Sequence, residues 1–245
     1  TAAFPTMARQ AANHSLEELG STAAYALRLV LFVTLPSMVG LLVFRVPIVQ
    51  LLFERGAFDR TVTLATADVL FFYALGLGAY VSTRVLVPAF YSIQDTGTPV
   101  KIGAVAVLVN VLSSLLLMRP LGAGGLALAT ALSSFVNFGL LLTTLRRRLG
   151  ALGKESLWPP LLRMGVAAAA MGLFGLVLLH SYNPLTAEPV LYRAMMVTLQ
   201  LAASLAVFLI AAAFLGSEEL KSLLHRGAHL RRRLMTLPSG DDLSE

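Results

Sequence analysis

The chain predicts an all-α, polytopic membrane helix bundle of about six transmembrane helices, and three observations carry that prediction. Of its 245 residues, 57% are hydrophobic and only 13% charged, too apolar a balance for a water-soluble domain. The apolar residues fall into six runs, each close to or above the roughly 20 residues needed to cross hydrocarbon. Lys and Arg gather mostly at the ends of these runs, so the net charge of +6 reads as membrane topology rather than as a nucleic-acid surface. The absence of cysteine removes disulfides and thiolate metal sites and leaves the redox compartment open.

In chain order, residues 1 to 20 read as the end of one helix, finishing at Pro5, and a polar linker from Arg9 to Glu18. The opening Thr1-Ala-Ala-Phe-Pro5, with neither Met nor signal peptide, predicts that further chain precedes it. The first span runs from about Ala23 to Phe44, with Pro36 inside it and Pro47 near its exit; membrane helices tolerate proline where neighbours satisfy the freed carbonyls. Arg28, near its start, shares a face with Ser21, Tyr25, Phe32 and Leu35. It either snorkels to the headgroups or faces a cavity. The loop Phe53 to Thr61 holds Glu54, Arg55, Asp59 and Arg60, whose charges nearly cancel, as in a structural corner.

The second span, about Leu64 to Tyr91, contains Arg84 within lipid depth. A buried guanidinium costs about 2.5–3.5 kcal/mol on insertion scales, so such residues face a protein interior or a watery cavity. Tyr73, Tyr80, Arg84, Pro88 and Tyr91 recur at helical spacing, making one face aromatic and basic. Gly76 and Gly78 predict close helix contact. The run Gln94-Asp95-Thr96-Gly97-Thr98-Pro99 then has tight-turn chemistry.

The third span, about Val100 to Met118, carries Asn110, Ser113 and Ser114; the fourth, about Leu121 to Leu145, carries Thr130, Ser133 and Asn137 on one stripe. Such residues either join helices or line an ion site. The basic cluster Arg146-Arg147-Arg148 and Lys154 follows, then Trp158 and Pro159-Pro160 as an interfacial anchor and helix start. The fifth span covers about Leu161 to His180 and the sixth about Val190 to Leu215. From Ser217 the tail reads as a basic amphipathic helix on the membrane surface. Its His225 and His229 lack a third ligand beside them, which favours a solvated face over a metal site.

The block Arg84 to Pro99, followed by Val100-Lys101-Ile102, by Pro120-Leu-Gly-Ala-Gly-Gly-Leu-Ala-Leu-Ala-Thr130, and flanked by Phe53-Glu-Arg-Gly-Ala-Phe58 and Leu145-Arg-Arg-Arg148, resembles the MviN/MurJ family of lipid II flippases. These belong to the multidrug/oligosaccharidyl-lipid/polysaccharide exporter superfamily. The resemblance spans roughly residues 1 to 150 and implies that they form part of the second transporter lobe. Residues 151–216 would then be two additional transmembrane helices and 217–245 a cytoplasmic tail. It further implies translocation of lipid II in peptidoglycan synthesis, a preceding N-terminal lobe as partner, and Asp95, Thr98 and Pro99 as marks of a family turn. Arg84, Arg28, Tyr80 and Tyr91 become substrate or cavity candidates. Sodium or the membrane potential becomes the driving force, with Asn110, Ser114 and Thr130 at the possible sodium site. Ser114 stands where the family pattern has an acid, which weakens that site for a hard cation.

Counting Lys and Arg with residues 1 to 20 placed inside puts twelve on the cytoplasmic side and five on the other, so both ends are expected in the cytoplasm of a multi-pass inner-membrane protein. No catalytic constellation is present: there is no phosphate-binding Gly loop and no His-Glu metal motif. Beside lipid II transport stand export of another polyprenyl-linked polysaccharide or drug on the same fold, and a non-transporting scaffold for cell-wall synthesis. Arg84 discriminates, because only a transporter needs its charge.

Overall fold

The computed structural model describes residues 3–13, 15–150, 158–181 and 189–222, and within them every long element is an α-helix. A short α1 (Ala3–Ala12) precedes six helices long and apolar enough to span a membrane: α2 (Leu16–Phe53), α3 (Arg60–Ser92), α4 (Gly97–Leu121), α5 (Ala123–Leu149), α6 (Trp158–Ser181) and α7 (Val190–Phe214). The tail expected on the membrane surface lies almost wholly outside the described residues, as do His225 and His229.

Several boundaries differ from expectation. Pro5 does not end α1; it lies in the first turn, where its missing N–H has no intrahelical partner to lose. The long polar linker is not there either, because α2 begins at Leu16, with Glu17 and Glu18 in a first turn that favours negative charge. At about 57 Å by helical rise, α2 outruns its apolar stretch at both ends and continues through Pro36 and Pro47. The helix α3 starts at Arg60 because Asp59, in extended conformation, caps it by accepting a hydrogen bond from the Val62 N–H at 3.0 Å. Gly122, at φ +55°, separates α4 from α5. Gly125 then lies so close to Leu117 that an added Cβ would stand 2.2 Å from its carbonyl oxygen.

Helix α3 is the hub, packing on α2 along one side and on α5 along the other, while α4 packs chiefly on α5. The closest approach is at Gly76, where an added Cβ would lie 2.6 Å from the Ala131 Cα. Gly78 corrects the expectation of close contact: only Leu31 comes within 4 Å of its would-be Cβ, at 3.8 Å, because it faces an open groove. The α6–α7 hairpin is joined to the rest through α2. Gly172 and Gly175 of α6 press against Val39 and Phe44, and Phe208 of α7 meets Phe32 with ring centroids 5.2 Å apart.

These two glycines separate cleanly in experiment. Gly76→Leu should destabilise the bundle by about 1–3 kcal/mol through overpacking against backbone, whereas Gly78→Ala should be neutral or stabilising by up to about 1 kcal/mol. Equilibrium unfolding in detergent micelles measures both.

Candidate functional site

Arg84 sits eight positions before the end of α3, about 12 Å along the helix axis. Its Nη2 donates to the Tyr80 hydroxyl at 2.8 Å, and its guanidinium lies 5.2 Å from the centroid of the same ring. Tyr73, Tyr80 and Tyr91 are each close to half exposed and Arg84 is exposed with them. The aromatic, basic stripe read from the spacing therefore exists as one open face of α3. A cation braced by a phenol and a π face one turn below it presents its remaining N–H groups outward. That is suited to an anionic group.

Arg28 is half-buried on α2. One and three turns further on, the same face carries Phe32 and Val39, which pack against α7 and α6. Its face thus turns to the α6–α7 hairpin, and the tyrosine stripe belongs to Arg84 alone. A second guanidinium, Arg45, just past the span expected to end near Phe44, entered the sequence reading only through the charge count. It donates to the Leu42 carbonyl at 2.9 Å and lies 4.9 Å from the Phe71 centroid. It is held by α3 rather than displayed.

The turn after α3 closes as a Schellman motif. Gln94 adopts φ +60°, its N–H reaches the Tyr91 carbonyl at 3.0 Å, and the Asp95 N–H reaches the Phe90 carbonyl at 3.0 Å. Asp95 then accepts from the Thr98 N–H at 3.0 Å and from the Thr98 hydroxyl at 2.7 Å, capping α4, while Pro99 is buried in that helix's first turn. The Arg148 guanidinium completes the set 2.9 Å from the Asp95 carboxylate, and it also reaches the Thr98 hydroxyl at 3.4 Å. Asp95, Thr98 and Arg148 therefore tie the end of α3, the start of α4 and the end of α5 into one knot, with the exposed stripe one turn below it. The Thr98 hydrogen bonds, aided by the charges of Arg148 and Lys101, hold the Asp95 carboxyl below its ordinary value.

On the opposite end of the bundle, the Glu54 carboxylate accepts from the Gln50 amide at 3.0 Å and lies 3.8 Å from Arg60. Burial raises its pKa, but hydrogen bonds from Thr63 and Gln50 and the charges of Arg60 and Arg193 leave it below the usual glutamate value. Arg193, from the start of α7, is the member of this corner that spacing along the loop did not reveal.

The amide of Asn110 on α4 reaches the Thr130 hydroxyl at 3.3 Å and the Ser133 hydroxyl at 3.4 Å on α5. Those hydroxyls donate in turn to the Leu126 and Thr130 carbonyls, at 3.0 and 2.9 Å. Asn110 thus joins α4 to Thr130 and Ser133 of α5. Ser114 is half-buried outside these hydrogen bonds. Two hydroxyls and an amide, with no carboxylate, do not fit the oxygen-rich shell a hard cation requires. No cluster of three or more His, Cys, Asp or Glu side chains placed to hold a metal ion occurs among the described residues.

Six helices long and apolar enough to cross a membrane, packed as one bundle, define a polytopic helical membrane protein. The family described as "Lipid II flippase MurJ" matches residues 1–193, and the chain belongs to that family. Among curated proteins it is 34% identical over 237 residues to the probable lipid II flippase MurJ of Rhizobium meliloti, covering 93% of this chain and 44% of the relative. It is 33% identical over 215 residues to that of Rhizobium tropici, covering 87% and 40%. A solved structure of lipid II flippase MurJ in an inward closed conformation shares the fold with a TM-score of 0.69 at 22% identity, over 87% of this chain and 42% of the other. The chain spans less than half the length of these relatives.

The knot at Asp95 makes a pH prediction. A carboxyl whose folded pKa is depressed stabilises fully above its unfolded value of about 3.9 and loses that contribution as pH falls through the lower folded value. Asp95→Asn should therefore lower the thermal midpoint at neutral pH and flatten its decline below about pH 4, with Glu54 accounting for the remaining slope. Midpoints measured in detergent across pH 3–7 read this out.

Proposed function

We propose that this protein translocates the lipid-linked peptidoglycan precursor lipid II across the cytoplasmic membrane by alternating access. In this reading residues 1–150 belong to the second transporter lobe, 151–216 add two helices, and 217–245 form a cytoplasmic tail. The other lobe of the transporter is its partner. Both ends of the segment lie in the cytoplasm, in keeping with twelve Lys and Arg on that side against five.

The observation that carries the reading is the Arg84–Tyr80 pair, displayed on an open face of α3 in a chain of the flippase family. A pyrophosphate cannot enter hydrocarbon unaided, so a flippase must offer it fixed cations in a polar cavity while the prenyl chain stays in lipid. Arg84 is the leading cation and Tyr80 and Tyr91 are the aromatic walls. Arg28, on the face toward α6 and α7, has the secondary part. Alternating access rocks two helical bundles around such a site, and the knot of Asp95, Thr98 and Arg148 keeps α3, α4 and α5 moving as one body.

The membrane potential supplies the driving force in this reading. Inside-negative polarity pushes an anionic headgroup outward with about 2.3 kcal/mol per charge per 100 mV. No step passes through sodium at Asn110 and Thr130.

The test is complementation in cells depleted of their own lipid II flippase, with full-length protein at matched membrane abundance. The wild type should restore growth and Arg84→Ala should not, with Arg84→Lys intermediate because it keeps charge but loses the planar contact to Tyr80. Failure of the wild type would assign another lipid-linked glycan or a scaffold role. Rescue by Arg84→Ala would make Arg84 structural.

A further inference from the structure

Helices α2 and α5 flank α3 without closing over it and leave a groove of about 660 Å³, within the range of ligand sites. Its walls are apolar almost throughout, with Leu31 and Leu35 of α2 facing Leu128 and Phe135 of α5 across a floor at Gly78 and Ala79. The exception is one end, where Arg146 lines the mouth beside Trp158. Arg148 is spent on Asp95, whereas Arg146 is exposed and makes no ion pair among the described residues.

Length and position limit the occupant. Along α2 the groove runs from Leu27 to Met38, about 16 Å of helix, close to the roughly 15 Å of a single leaflet's hydrocarbon. It also lies on the side of α3 opposite the tyrosine stripe: at 100° per residue, Leu75, Gly78, Ala79 and Ser82 point away from Tyr73, Tyr80 and Arg84. A lipid seated here is therefore not the one whose headgroup would meet Arg84. A cation at the interface over a one-leaflet apolar trough matches an anionic phospholipid, phosphate at the mouth and acyl chain below.

We propose that this groove is a binding site for an anionic membrane phospholipid, with its phosphate on Arg146 and one acyl chain laid along α3 between α2 and α5. The bound chain fills the space that helix packing leaves open and mortises α2 to α5. This site is independent of lipid II transport.

Trp158, the chain's single tryptophan, stands at the mouth and reports occupancy. The chain is reconstituted in phosphatidylcholine vesicles containing a minority of phosphatidylglycerol or phosphatidylcholine with brominated acyl chains, and quenching of Trp158 is followed. The brominated phosphatidylglycerol should quench at about fivefold lower mole fraction, the preference expected of one interfacial arginine. Arg146→Gln should bring the two lipids to parity, and Arg147→Gln should leave the preference intact. Gly78→Phe, at a groove-lining position where an added Cβ would meet only the Leu31 side chain at 3.8 Å, should abolish the preference at unchanged helical circular dichroism. Equal quenching by both lipids in the wild type, a preference surviving in Gly78→Phe, or equal loss in Arg146→Gln and Arg147→Gln would overturn the site. So would release of the quencher by unlabelled polyprenyl phosphate but not by unlabelled phosphatidylglycerol, which would assign the groove to a polyprenyl chain.

Discussion

The approach of α3 to α5 at Gly76, where the backbone of one helix rests on Ala131 of the other, is the contact on which the remaining geometry depends. In hydrocarbon there is no hydrophobic drive between helices, so close van der Waals packing over small residues must hold them. With α3 drawn onto α5 on one flank and onto α2 on the other, its two remaining faces are committed. One displays Tyr73, Tyr80 and Arg84, and the other floors the apolar groove. The same contact brings the end of α5 to the α3–α4 turn, within reach for Arg148 to meet Asp95.

Charge placement follows the absence of water. Arg45 donates to a carbonyl of its own helix and lies over the Phe71 ring, which joins α2 to α3. Arg84 has a single phenol as its brace and is otherwise open. Of the two guanidiniums, only Arg84 is displayed on an open face. At the two ends of the bundle Asp95 and Glu54 each gather cations from helices distant in sequence, so the loops are pinned while the faces of α3 stay accessible.

The six spans, the tyrosine stripe and the turn at Asp95 were legible because each rests on local rules: run length, helical period and turn chemistry. The end of α1 was misread since Pro5 sits in a first turn, where a helix tolerates it, and proline alone does not say whether its carbonyl partner is needed. Gly78 and Gly76 are two residues apart and look alike in sequence, yet one opens on a groove and the other touches backbone. That Ser133 lies beside Asn110 is a matter of how far α4 is rotated against α5, which no single-helix pattern contains.

By itself the sequence determined that this is a six-span helical membrane protein with an arginine at lipid depth and a capped turn beyond it, because hydrocarbon thickness and helical period leave few alternatives. Only the tertiary structure decided which cations are spent and which are displayed, and that α2 and α5 leave a trough on α3. Those outcomes depend on the register and rotation of helices that touch across long stretches of chain, and small residues permit such contacts without specifying them.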